Sequence, residues 1–590
     1  MKKNTHGNIF LIPLVLWFIV IPLIVKEKFY ANPMLEYPWF DRSSTCVDFF
    51  LYYKSIFISF AGIVMLVLMF YHVRKTKQGY MIANSDSKIF IPIYIYIILA
   101  ILSSVISNYS SFCVHGMPEQ FEPIWNLIAY IIAAMYCYYM VVNGNWDRKM
   151  LLIVCIGSML VGLVCVLQYF KMDIYRAIYS GQEYGFVSEN GAVYGPFYNI
   201  NYVGYYVLLF IPVFFSLAIY LRKIQLRIVL GLLCLALLIA LVGADSLAAE
   251  LALMVVTFFA ILFLLFKNVK QKRMLWLPII ALLVSAAALC VISAPRIHAY
   301  VASSNTEKNN LENIFTNDAD VEIDYKGQKL FVQMLTKSDH LEFSITDQNQ
   351  QQVSSDYNKA VDGYYYYAIT DPRFEGITLT PAIISRDPVR YGFEVLIDDK
   401  KWRFTNQTNM DDSYYYYTDL GTLTKLTKDT PSVDFEPLKN KSSLANGRGY
   451  IWNKTIAMLK KYMILGSGAD TFALVYPNDD YVDKYNNGYD NIIITKPHSL
   501  YLQIAIQSGG VSLICFLAFY FWYFISSVRL YFRQQLNQPL SVIGFGILLG
   551  TMGYMISGLA NDSSVTVAPL YWGLMGMGIG INHRIRSTTN

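Results

Sequence analysis

Apolar residues fall in long runs along most of this chain. The first covers 8–25, and further runs cover 55–71, 89–107, 124–142, 151–170, 202–221, 226–242, 247–266 and 274–292. After a long polar interval come 511–528, 540–559 and 565–581. Each is long enough, at roughly 17–20 residues, to cross about 30 Å of hydrocarbon as a helix. The pattern predicts 12 membrane spans. The first run follows Lys2 and Lys3 and ends without a small-residue cleavage site, so it reads as a retained span and not a removed leader. The turn at 243–246 reads either as a loop between two spans or as a re-entrant break.

Alternate connections are basic: Arg74 with Lys75, Arg148 with Lys149, Arg222 with Lys223, Lys272 with Arg273, and Arg529 with Arg533. The short opposite loops carry far fewer basic residues. The positive-inside bias puts both termini in the cytoplasm and the interval 293–506 outside the cell membrane.

That interval divides in two. Over 293–440 the pattern alternates with period two. VEIDYKGQKLFVQML turns about KG, LEFSITDQNQQQV about DQN, and YGFEVLIDDKKWRF about DDKK. Hairpins in series predict a small sandwich or barrel. DGYYYYAITD from Asp362 and DSYYYYTDLG from Asp412 hint at a duplicated strand. Their tyrosines read either as sugar-stacking rings or as core packing on one face with edge protection on the other. Past Lys439 the pattern becomes helical. Arg448, Trp452, Ile456 and Leu459 fall at i, i+4, i+8 and i+11, so Arg448 opens a helix with an apolar stripe. Gly466-x-Gly468 has no strand before it and no Lys-Ser/Thr after it, which makes it a tight turn and not a nucleotide loop.

The fold class is thus a polytopic α-helical membrane protein of about 12 spans with an inserted extracytoplasmic β-rich domain. Residues 1–292 form the membrane domain with spans one to nine, and 293–440 the β-rich insertion. Residues 441–510 form a helical catalytic loop, and 511–590 hold the last three spans. Composition agrees: 55% hydrophobic and 15% charged residues exclude a soluble globular protein of this length. The net charge of +5 matters only through where the basic residues fall. Eight cysteines without a CxxC give no zinc spacing, and no metal site is expected. Cys46 and Cys113 fall in predicted outer loops, as a disulfide or as two thiols.

Taken alone, Arg448 reads as a surface salt bridge and His498 as an ordinary interfacial or hydrogen-bonded His; the pair in one outer segment, at the foot of a membrane helix, reads as a chemical site. A lipid-linked sugar pyrophosphate carries an activated anomeric carbon. Its diphosphate leaving group needs fixed cations, and Arg offers a permanently charged fork matched to phosphate oxygens. The acceptor hydroxyl is a weak nucleophile, and a His can take its proton in the transition state. Asn199 and Asn201, at the start of the sixth span, read either as helix caps in an aromatic belt or as a polar floor for the site. Glu250, one turn inside the eighth span, reads either as functional or as a paired interfacial carboxylate.

GRGYIW…ILGSGADTF…KPHSLYLQIAIQSGGVSL resembles the signature region of the O-antigen ligase and polymerase-like family, and GPFYNINYVGYYVLLFIPV resembles that family's Asn-bearing segment. The resemblance covers the membrane scaffold and not the β insertion. It implies transfer of a glycan from undecaprenyl pyrophosphate to an acceptor, in a lipid bilayer, with no metal or cofactor. The partners would be the lipid-linked glycan donor and a glycan, lipid or wall-polymer acceptor, and no nucleic acid. Arg448 would hold the pyrophosphate, and His498 would activate the acceptor or help bind the pyrophosphate. Asn201 would line the site, with Asn199, Trp452, Lys454 and Glu250 as further substrate-binding candidates. Where the family often has Ser-Arg-Gly before the eighth span, this chain reads GADSLAAE. Either Lys171, Arg176 or Lys454 replaces that cation, or the donor is handled differently. Ligase and polymerase stay open, and the rival readings are a 12-span transporter or flippase and a membrane-anchored glycan sensor.

Overall fold

The computed structural model describes residues 9–40, 43–76, 85–143, 147–179, 193–271, 280, 283–284, 287, 310–336, 341–359, 365–386, 389–408, 414–419, 422–428, 434–439, 441–445, 447–490 and 492–589. The membrane part begins with a short apolar helix, α1 (Ile9–Leu23), whose middle widens into a π-helical stretch at Leu16–Val20. Seven longer helices follow: α2 (Tyr52–Thr76), α3 (Ile91–Ile106), α4 (Ile124–Asn143), α5 (Asp147–Tyr169), α6 (Ile200–Tyr220), α7 (Ile224–Ala244) and α8 (Leu247–Gln271). The polar interval contributes α9 (Arg448–Met458) and α10 (Leu500–Gln507), and the chain ends with α11 (Gly510–Arg533), α12 (Pro539–Ser557) and α13 (Ala568–Thr589).

Among the described residues, nine helices are long and apolar enough to cross a membrane. This is fewer than the twelve expected runs, for three separate reasons. The first run forms the shorter α1. The run at 274–292 lies almost wholly outside the described residues. The last run forms α13, which has the length but carries glycines and a polar end that lower its hydropathy.

Packing explains why α13 can be less greasy. It lies against α4 and α12, while α12 lies against α6. Both contacts use glycines four residues apart. A Cβ on Gly550 would stand 2.3 Å from the Leu209 carbonyl oxygen of α6, and one on Gly546 would stand 2.7 Å from Val213 Cα. A Cβ on Gly576 would stand 2.0 Å from the Ala134 oxygen of α4. Lipid tails are as apolar as the helices, so close backbone packing replaces the hydrophobic effect as the force between them.

The polar interval holds a two-layer β unit. One sheet is a four-stranded meander of Leu311–Thr316, Val321–Tyr325, Gln328–Thr336 and Leu341–Asp347. The other has seven strands in chain order, from Ser355–Lys359 through Tyr365–Ile369, Thr378–Arg386, Val389–Ile397, Lys400–Thr405 and Tyr416–Asp419 to Thr422–Thr424. Two of the three expected hairpins, those about KG and DDKK, form where the turn chemistry puts them; after DQN a single bridge joins Thr346 to Gln352, and the next strand, Ser355–Lys359, belongs to the other sheet. Lys326 and Gly327 both have positive φ (51° and 73°), as do Asp398 and Asp399 (46° and 67°), the paired left-handed residues of a two-residue turn. The two tyrosine runs supply the strands Tyr365–Ile369 and Tyr416–Asp419 of one sheet, while Asp362 and Asp412 lie outside the described residues. Leu379, Phe393, Trp402, Phe404 and Tyr417 bury one face against Val321, Val332 and Phe343. Tyr481 and Val482, from the following helical loop, complete that core. Cys46 and Cys113 are not bonded to each other, so the disulfide alternative falls.

Gly550→Ala should separate α6 from α12 and cost about 1–3 kcal/mol by overpacking. Thermal unfolding in detergent measures it. Gly231→Ala, where a Cβ meets nothing within 4 Å, is the control and should lose nothing.

Candidate active site

The Gly466–Asp470 turn sets the height of the site. Its backbone N–H groups donate to Ser103 Oγ (2.9 Å, from Gly466), Ser104 Oγ (3.1 Å, from Ala469) and the Ile506 and Gln507 carbonyls of α10 (2.8 and 2.9 Å). Gly468 has φ +112°, and a Cβ there would meet Cys113 Sγ at 2.5 Å, so only glycine fits. Asp470 Oδ2 then accepts the N–H groups of Met117 (2.7 Å) and Glu122 (3.0 Å). One tight turn thus bolts α10 to the end of α3 and to the loop before α4.

The Lys496-Pro497-His498-Ser499 segment is held along its length. Asn478 Oδ1 accepts the Ile494 N–H (2.9 Å), and Gln120 Nε2 donates to the Thr495 carbonyl. Trp452 Nε1 donates to the Pro497 carbonyl at 3.0 Å, and the Ser499 N–H donates to Asp562 Oδ1 at 3.0 Å. His498 sits between these clamps with φ +50°. Its Nδ1 lies 3.2 Å from Asp562 Oδ2, and the imidazole is 42% exposed while the carboxylate is buried. A carboxylate on Nδ1 fixes the tautomer and leaves Nε2 as the basic nitrogen.

Two cations join this pair. Arg448 opens α9 behind Gly447, whose φ of +87° gives the backbone its left-handed cap. Among the described residues its guanidinium makes no hydrogen bond or ion pair. Burial draws its pKa below the usual range, and the charge of Asp562 opposes that. Lys496 is 9% exposed and donates from Nζ to Tyr202 Oη at 3.0 Å. Burial works to lower its pKa, but Tyr202, Asp562 and Glu122 outweigh it and hold the ammonium above the ordinary lysine range. Arg448, Lys496 and His498 therefore gather around Asp562.

α6 forms the membrane side. Asn199 caps it by accepting the Asn201 N–H (2.8 Å), and Asn201 Oδ1 accepts Ser246 Oγ (2.9 Å) from the turn before α8. The caps set the start of the helix that presents Tyr202 to Lys496 and Tyr205 to the Asn561 carbonyl (3.0 Å). The two asparagines thus hold the helix that faces the cluster. Glu250 is fully buried one turn inside α8. Trp452 joins the cluster through Pro497. Lys454 does not: its Nζ pairs with Asp434 (2.8 Å) and Asp483 (2.6 Å). The apolar stripe read for α9 is its half-buried side, and the fully buried side carries Tyr450, Ile451, Asn453 and Lys454. Lys171 and Arg176 are exposed.

Three residues escaped the sequence reading. Lys496 stands two residues before His498 in a quoted motif, yet nothing in the spelling marks a buried lysine. Asp562 lies between two spans, where an isolated acid carries no periodic signal. Glu122 accepts Tyr130 Oη and Ser563 Oγ, each at 2.8 Å, and so supports the loop that carries Asp562.

Burial raises the Asp470 carboxyl to about 7, against the two N–H groups that favour its ionised form. A carboxyl raised on folding stabilises the fold least when ionised. Stability should therefore fall as pH rises from about 4, the unfolded value, to about 7. Asp470→Asn keeps an acceptor for both N–H groups and should flatten that slope, read as melting temperature against pH in detergent.

Residues 405–517 match the family model described as O-Antigen ligase. The match begins at the end of the fifth strand of the larger sheet, so it includes that sheet's last two strands, all of the Arg448–His498 loop and the first turns of α11. No curated protein matches the chain. The resemblance read from the Arg448 and His498 segments stands on this match, and the chain is a polytopic helical membrane protein carrying an O-antigen ligase-like segment.

Proposed function

We propose that the protein transfers a glycan from a polyprenyl (undecaprenyl) pyrophosphate to an acceptor hydroxyl, as a polysaccharide ligase or polymerase. The reaction takes place at the outer face of the cell membrane, with both termini in the cytoplasm. The observation that carries this reading is the convergence of a guanidinium with no hydrogen bond or ion pair among the described residues, a buried ammonium and a His–Asp pair.

The acceptor oxygen forms a bond to the anomeric carbon as the bond from that carbon to the diphosphate oxygen breaks. His498 Nε2 takes the hydroxyl proton, and Asp562 stabilises the imidazolium that results. The polyprenyl pyrophosphate leaves with the electron pair. Arg448 grips its oxygens as a planar fork, and Lys496 meets the growing charge as a point charge. Lys496 thereby fills the role left open by the missing arginine before α8. With two fixed cations at the leaving group, the scheme runs without a metal and without ATP. Asn199 and Asn201 act by setting α6, and Trp452 acts by holding Pro497.

The test is transfer by purified protein in detergent from a lipid-pyrophosphate glycan to a crude acceptor extract. Folded Arg448→Ala should lose about 100- to 1,000-fold in kcat, the scale of losing one group that stabilises developing charge. His498→Ala should lose about 100- to 10,000-fold. Normal transfer by both folded variants would sink the mechanism. A ladder of product sizes would mark a polymerase, and a single addition a ligase.

A further inference from the structure

A second cleft lies where the β unit meets the helical loop, and its volume is about 480 Å³. That is within the roughly 300–1,000 Å³ range of small-ligand sites. One wall is the tight turn of the hairpin that ends in Ile397 and restarts at Lys400, with Asp398 and Asp399 at its tip. The opposite wall is Tyr485 and Asp490 of the helical loop. Lys400, Lys401 and Arg403 supply the cations.

The cleft is already organised. Lys400 Nζ pairs with Asp490 and stands 3.9 Å over the Trp402 ring and 5.2 Å from the Tyr485 ring. Tyr485 is locked as well: its hydroxyl donates to the Asp398 carbonyl at 2.6 Å, and its ring meets Trp402 edge to face. Arg403 is aimed by Glu394 at 2.8 Å. Polar groups fixed before binding lose little entropy when a ligand arrives.

The charge pattern selects the ligand. Asp398, Asp399 and Asp490 offset Lys400, Lys401 and Arg403, so the lining has no net charge. A diphosphate or a polyanion would meet as much repulsion as attraction. A sugar hydroxyl both donates and accepts, so neighbouring carboxylates and cations can satisfy it together. The Tyr485 ring adds an apolar face for the C–H side of a pyranose.

The cleft also connects to the cluster around Arg448. The ring of Tyr489, next to Asp490, lies tilted against that of Tyr450 at 5.4 Å, and a Cβ on Gly447 would lie 2.8 Å from the Tyr489 hydroxyl. Six residues of chain, 485–490, thus run from the cleft to the cap of Arg448. We propose that this cleft is a glycan subsite that holds uncharged sugar units of the donor while its diphosphate lies at Arg448 and Lys496. The proposal rests on the transferase reading for the identity of the glycan.

The probe is the oligosaccharide freed by mild acid from the polyprenyl-pyrophosphate pool of the source cells, titrated into full-length protein in detergent. Asp399→Asn with Lys401→Gln keeps the left-handed turn, since Asn accepts it and Lys401 is 64% exposed. The wild type should bind saturably and the double variant about 10-fold more weakly. In turnover the same variant should raise KM for the donor about 10-fold with kcat held. Arg448→Ala should bind the free oligosaccharide as the wild type does, and added pyrophosphate should not displace it. No saturable binding by the wild type, equal binding by the double variant, or displacement by pyrophosphate would overturn the subsite. Full transfer by Arg448→Ala together with weakened oligosaccharide binding by the double variant would instead overturn the transferase scheme and leave the subsite standing.

Discussion

A single buried carboxylate holds the site together. Asp562 is 2% exposed and faces His498, while its charge reaches Arg448 and Lys496. Like charges gathered at low dielectric repel, and one central anion keeps them in check. The carboxylate is itself held by the Ser499 N–H, and its loop by Tyr205, Gln503 and Glu122. α6, α10 and the loop before α4 therefore all have a stake in where Asp562 sits.

The membrane bundle supplies this from three directions. α6 brings Tyr202 and Tyr205, the α12–α13 loop brings Asp562, and the loop before α4 brings Glu122. Tyr205 stacks on Tyr554, which stacks on Tyr571, at 4.4 and 4.3 Å. That column joins α6, α12 and α13 directly beneath the polar cluster. The glycine contacts of α12 and α13 draw the same helices together at backbone distance.

Much of this was legible along the chain, and the remainder has physical reasons for hiding. Long apolar runs read well as helices because lipid leaves no other place for them. α13 shows the limit, since a helix wrapped by other helices has no need of the same grease. The hairpins read well because KG and DDKK dictate left-handed turns. Arg448 and His498 stand out because one opens α9 behind a glycine and the other lies just before the cap of α10. Lys454 misled because a lysine beside a candidate site says nothing about the aspartates Asp434 and Asp483 that claim it from elsewhere. Asp562 stayed hidden because it meets His498 only in space, across α10, α11 and α12.

The backbone of His498 sets stability against the proposed chemistry at one position. A φ of +50° suits glycine or asparagine and costs a histidine about 1–2 kcal/mol. Trp452 on the residue before and Asp562 on the residue after impose that conformation from both sides. Drift governed by folding alone would run toward a smaller residue here and yield a sturdier protein without the base proposed for the transfer. Robustness at this point and competence at this point therefore pull in opposite directions, and a thermally hardened variant is the one in which the imidazole is easiest to lose.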